Sequence, residues 1–154
     1  MDIYSKSSGA AGALSNFNQY DFEFDGVTCA SMEGLLQSFL TDDVEPQKQV
    51  CLLVGSNAKL WGAKRLIELG GTRWLWWKGE RYDRHLADYQ GLLDRAYDAL
   101  ATNQEFQATL LSTGDEVLTH SIARGETVYQ TILTEEEYCS RLMSLRRQLQ
   151  TLSR

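Results

Sequence analysis

The sequence predicts an α+β fold, a mostly helical single domain over residues 1–154 with a small antiparallel β-sheet. Three observations carry this expectation. Apolar residues recur at helical spacing in several stretches, as at Leu35, Leu36, Phe39 and Leu40, and at Tyr138, Leu142, Leu145 and Leu149. Period-2 alternation is short, clearest in Tyr20-Asp21-Phe22-Glu23-Phe24, and is followed by the turn pair Asp25-Gly26. A length of 154 residues with one proline and no low-complexity segment suits one domain with a sizeable core.

Taken in order, Ile3 to Ser8 begins apolar and passes into a small-residue loop, Gly9 to Gly12, that ends in Leu14-Ser15-Asn16-Phe17. Tyr20–Phe24 and Val27–Cys29 form a hairpin about Asp25-Gly26. Ser31 is a good N-cap for the next helix, with Glu33 in its first turn, where free N–H groups favour a carboxylate. Pro46 suits the first turn of a helix running to Leu53 and stopped by Gly55. Ser56-Asn57 is expected to cap a helix over Ala58–Leu69, whose apolar residues spread so widely that it reads as largely buried. Trp74–Trp77 is extended, and Asp83 is expected to cap a long helix carrying Leu86, Tyr89, Leu93, Ala96, Tyr97 and Leu100. Asn103 caps a shorter helix ending near Gly114. Val117–Ile122 and Thr127–Leu133 are β-prone, and Thr134 with Glu137 forms a capping box for the last helix.

Composition narrows the function. A net charge of −6 argues against a protein that coats nucleic acid through a broad basic surface, but leaves room for a pocket that takes one nucleotide. Arg141, Arg146 and Arg147 read as a solvated helix face. No run reaches membrane-spanning length, and Cys29, Cys51 and Cys139 have no metal-binding spacing, so reduced thiols in a cytosolic protein are expected. The phosphate-loop, dinucleotide-binding, nucleophile-elbow and His-Glu-x-x-His motifs are all missing, and the two histidines, His85 and His120, read as structural. On periodicity alone Glu33 is a helix-terminus carboxylate and Lys6 a solvated surface residue.

The ordered motifs change that reading. Tyr4-Ser5-Lys6, Gly12-Ala13-Leu14-Ser15-Asn16-Phe17, Phe24-Asp25-Gly26 and Ser31-Met32-Glu33 with Gln37 resemble the opening of the NADAR domains. Ala58-Lys59-x-x-Gly62 and Asn103-x-x-Phe106-x-x-x-Leu110-Leu111-x-Thr113-Gly114 are similar to later motifs of that family, in the same order. The resemblance implies cleavage of a ribose C1–N bond, in riboflavin-pathway intermediates or in ADP-ribosylated guanine of nucleic acid. Both pass through oxocarbenium character at C1, which a carboxylate can stabilise while moving a proton.

Carried over residue by residue, the resemblance makes Glu33 the catalytic carboxylate and Lys6 an amine that attacks the ring-opened ribose as a Schiff base. Tyr4, Gly12, Ser15, Asn16 and Phe17 would bind sugar or phosphate. Trp61 and Trp77 are core residues first and base-stacking candidates second, and Asp83 and Arg84 fall where many members carry an Asp-Trp pair. No metal or cofactor is called for, the partner is a small nucleotide or ADP-ribosylated nucleobase, and neither a membrane nor an obligate protein partner is implied. Two departures mark a divergent subgroup. The usual Glu-His is Glu33-Gly34, and the closing Asp-x-x-Trp-Gly is replaced by His120-Ser121-Ile122 and the segment Thr131–Tyr138, leaving Asp115 and Glu116 as weak candidates for a second acid. A non-catalytic ADP-ribose-binding module and a helical interaction protein are the rival readings. Binding without product release would mark the first, and failure to bind any nucleotide the second.

Overall fold

A computed structural model describes residues 1–152. Its elements are α1 (Gly9–Ala13), β1 (Phe22–Phe24), β2 (Val27–Cys29), α2 (Met32–Ser38), α3 (Val44–Val50), α4 (Gly55–Leu69), β3 (Trp74–Trp77), β4 (Glu80–Asp83), α5 (Ala87–Leu100), α6 (Gln104–Leu111) and α7 (Glu135–Leu152). The α+β class is as expected. The strands, however, form two separate antiparallel hairpins, β1–β2 and β3–β4. Each hairpin turns on a two-residue loop with both residues at positive φ: Asp25-Gly26 at 48° and 80°, Lys78-Gly79 at 49° and 89°.

Helix α2 is the axis of the fold. All seven of its residues are buried, and it packs against β2, α3, α4 and α5. Ser31 caps it, accepting from Gly34 N at 3.0 Å and donating to Leu53 O at 2.8 Å. Gly34 is the glycine that stands where the motif has histidine, and a Cβ there would lie 2.5 Å from Leu53 O and 2.8 Å from Val50 O. The backbone after α3 therefore presses on α2 too closely for any side chain.

Several sequence expectations are corrected. Helix α4 is largely exposed, with only Ala58 and Gly62 buried and Ile67 83% exposed, because it lies on α2 through one narrow small-residue contact. Its N-cap is Val54 rather than Ser56 or Asn57, and Gly55 opens it instead of closing α3. Asp83 ends β4, whose pairing with β3 overrides its capping propensity, and α5 starts at Ala87. The β-prone residues after α6 find no partner strand beyond a bridge of Asp2 to Thr119, and fold as a loop with one 3-10 turn, Ser121–Ala123. Arg146 is buried, donating to Thr113 Oγ1 (2.8 Å) and Glu116 O (2.7 Å), so α7 does not carry a simple solvated basic face. The caps at Asn103 and Thr134–Glu137 form as expected, with Asn103 Oδ1 accepting from Phe106 N and Glu137 Oε1 from Thr134 N.

Candidate active site

Glu33 enters the site from the first turn of α2. Its backbone N–H donates to Asn16 O at 3.1 Å, which latches the Ser15-Asn16 turn to the start of the helix. The turn is built by its neighbours: Ser15 Oγ accepts from Phe17 N (3.2 Å), and Asn18 Nδ2 donates to the carbonyls of Gly12, Ala13 and Ser15. The Asn16 side chain is thereby left to reach across the fold, donating to the Tyr97 hydroxyl at 3.0 Å.

Glu33 is 8% exposed. Gln37, one turn further along α2, donates Nε2 to Glu33 Oε1 at 2.9 Å. Burial pushes the Glu33 carboxyl above the ordinary glutamate range, against the opposing pull of the Gln37 bond and the charges of Lys59 and His120. Gln37 fits only because position 62 is glycine: a Cβ there would lie 1.6 Å from Gln37 Oε1.

Two adjoining cavities share the wall that carries Glu33. The larger, about 300 Å³, is lined by Tyr4, Ser5, Lys6, Ser15 and Phe17. The smaller, about 160 Å³, runs past Leu36 and Gln37 to Thr131, Ile132 and Leu133. Asn16, Glu33, Lys59, His120, Ile122 and Tyr138 line both. A wider surface groove of about 620 Å³ lies between the loop after the 3-10 turn and α7. Its lining is rich in acid (Glu126, Glu135, Glu136, Glu137), which disfavours a phosphate ligand there.

Tyr4, Lys6, Ser15, Asn16, Phe17 and Glu33 thus converge from three chain segments. Lys6 is exposed at the rim, in a turn closed by the Ser7 N to Tyr4 O bond, so burial in the fold does not desolvate it. The other sequence candidates line neither cavity. Gly12 is a packing glycine, since a Cβ there would lie 1.9 Å from Ser7 O, and that carbonyl fills the space expected to admit a diphosphate. Trp61 faces a surface groove beside Asp42 and Lys64. Trp77 stacks on Phe24 in the core at 5.1 Å and donates to Asp25 at 2.9 Å. Asp83 is bound by Arg73 in a bidentate pair (3.0 and 2.9 Å), and Arg84 is fully buried against Glu137.

Arg84 nonetheless stands directly behind the site. Its Nε donates to Thr131 O at 3.0 Å, and the neighbouring Ile132 carbonyl accepts from Tyr89 Oη at 2.6 Å, so the two anchor the loop that walls the smaller cavity. Asp115 and Glu116 are exposed and line neither cavity. Among the lining residues that sequence reasoning misses are Lys59 and His120, which line both cavities, and Glu126, which lines the smaller one. Lys59 has a signal, as the lysine of Ala58-Lys59-x-x-Gly62. His120 has none, because its place depends on a juxtaposition of residues 120 and 33 that only the folded chain brings about.

The sequence pattern of the bacteriophage protein GP30.3 family matches residues 9–147. The chain belongs to that family. It is 35% identical over 148 residues to an uncharacterised 17.1 kDa protein of the Gp30–rIII intergenic region of Enterobacteria phage T4, covering 95% of this chain and 96% of the relative. Among solved structures, the NMR structure of the E. coli protein YbiA is similar at a TM-score of 0.63 and 18% identity, over 99% of this chain and 86% of that one. That likeness shows the shared fold and supports the NADAR-like architecture implied by the motifs. Among the described residues no helix is long and apolar enough to cross a membrane, and no group of three His, Cys, Asp or Glu is placed to hold a metal ion.

Proposed function

We propose that this chain is an N-glycosidase that hydrolyses a ribose C1–N bond, in an ADP-ribosylated guanine or a related ribosyl-nucleotide. The observation that carries the reading is the buried Glu33 carboxyl on the wall of a cavity that also holds Lys6. Burial favours the protonated form of this carboxyl, which can give its proton to a departing base nitrogen. The Lys6 amine, at the rim of the same cavity, captures C1 of the opened ribose as a Schiff base. Lys59 adds a second positive charge for a phosphate or diphosphate. The buried free thiols of Cys29, Cys51 and Cys139 fit a cytosolic setting.

The test is release of ADP-ribose from an oligonucleotide carrying ADP-ribosylated guanine. The parent releases it. Glu33→Gln slows release by roughly 10²–10⁴-fold, the usual worth of a positioned acid, and Lys6→Ala abolishes it. Turnover by Lys6→Ala at the parent rate removes the Schiff base from the scheme. A parent that binds ADP-ribose and releases nothing refutes the enzyme reading in favour of a binding module.

A further inference from the structure

The motif histidine beside the catalytic glutamate is missing here, and Gly34 has no room to restore it. Yet a histidine is in the site. His120 comes from the loop after α6 and lines both cavities with Glu33. Its position is held by Thr119, which pairs with Met1 and Ile3, and by Glu135, whose Oε2 accepts from His120 N at 2.7 Å.

The ring has a defined tautomer. Nδ1 lies 2.7 Å from Ile3 O, a carbonyl that has no proton to offer, so Nδ1 carries the hydrogen and Nε2 of the neutral ring carries a lone pair. The ring also stands edge-on to Tyr138, 5.3 Å between centroids, which fixes its plane. Of the other polar groups shared by the two cavities, Asn16 is an amide tied to Tyr97, the Tyr138 hydroxyl donates to Leu14 O at 2.6 Å, and Lys59 is a cation. Glu33, ionised once its proton has gone to the base, is held by Gln37 Nε2, so it and His120 are the two shared groups that can take a proton from water.

We infer that His120 is the base that activates the water which releases ribose from the enzyme, supplying from a different segment what the site lacks at position 34. The inference rests on the glycosidase reading above. In the release step, water adds to C1 of the protonated imine formed with Lys6: the new C1–O bond uses a water lone pair, and one water proton passes to His120 Nε2. That proton moves on to Lys6 Nζ, the C1–N bond breaks with its electron pair going to nitrogen, and the second water proton joins it there. One protonated imine and one water become a C1 aldehyde, free to reclose, and a lysine ammonium.

The test uses the same ADP-ribosylated oligonucleotide with His120→Asn, whose amide N–H can keep the bond to Ile3 O while Nε2 is lost. His120→Asn is expected to restore the oligonucleotide in a burst of one per chain and then stall, with ADP-ribose trapped on Lys6 by borohydride and seen as added mass. Steady turnover falls by roughly 10²-fold or more, and free imidazole relieves the stall. A purely structural role would lower the burst and the adduct together, and that result overturns the assignment, as does steady turnover at the parent rate. Melting temperatures check that the variant is folded, and His120→Gln is read in its place if Asn unfolds the chain. A parent that restores no oligonucleotide refutes the glycosidase reading and this inference with it, whereas an active parent with an unaffected His120→Asn refutes only the inference.

Discussion

Replacing Arg84 by leucine separates a structural from a ligand-binding role for a residue that sequence motifs place in the pocket wall. The Arg84 side chain is fully buried and binds Glu137 twice, Nη1 to Oε2 at 2.8 Å and Nη2 to Oε1 at 2.6 Å. It also lies over the Tyr89 ring at 4.8 Å. Leucine would leave the Glu137 carboxylate buried with only Gln90 and the Thr134 N–H as partners. Removing one member of a buried pair costs about 3–5 kcal/mol, because the remaining charge is uncompensated. At about 2–4 °C per kcal/mol for a chain of this size, the melting temperature should fall by about 6–20 °C. The pH dependence has a definite sign. Burial pushes Glu137 up, but bonds from Arg84, Gln90 and Thr134 N outweigh it and hold the carboxyl below its ordinary range. The parent therefore loses this contribution as pH falls through that lowered range, while in Arg84→Leu the orphaned carboxylate gains by protonation, so the deficit of the variant shrinks in acid. Adding Glu137→Leu should cost less than the sum of the two single changes. Differential scanning calorimetry across pH measures all of this. An Arg84→Leu protein that melts with the parent but no longer binds ADP-ribose would refute the structural assignment.

The site itself offers two more perturbations. Because burial raises the Glu33 carboxyl, the native state holds that proton more tightly than the unfolded chain, and parental stability declines as pH rises from about 4 through the raised value. Glu33→Gln should therefore gain thermal stability over the parent at neutral pH and lose that advantage in acid, and a pH-independent difference in melting temperature would contradict the burial argument. Gly62→Ala would drive a methyl into Gln37, breaking its 2.9 Å bond to Glu33. It is expected to cost about 1–3 kcal/mol of stability and to slow ADP-ribose release, with little further loss when Gln37→Ala is added. Fully additive effects on release would show that Gly62 does not act through Gln37.

Local physics makes much of this chain readable in advance. The α+β class, the Asp25-Gly26 hairpin, the caps at Ser31, Asn103 and Thr134 and the stripe of α7 depend on residues a few positions apart, where φ preference, capping bonds and apolar period act directly. The motif order likewise points to Tyr4, Lys6, Ser15, Asn16, Phe17 and Glu33, which the fold brings to one cavity. What local pattern cannot decide is pairing at a distance. The β-prone residues 117–122 and 127–133 lack a partner strand and become a loop, whereas Glu80–Asp83 pairs with Trp74–Trp77 and becomes β4 despite its polar sequence. Arg84 turns inward because Glu137, 53 positions later, neutralises it. Gly12, Gly34 and Gly62 look alike in the sequence, yet each is required by a different neighbour: a carbonyl of the Lys6 turn, the backbone after α3, and the side chain that holds the Glu33 carboxyl. His120 enters the site by the same kind of long-range contact, through a bridge between residues 2 and 119. Spacing along a chain sets which faces an element can offer. Which face is covered, and by what, is settled by excluded volume and charge compensation between segments that meet only in the tertiary fold.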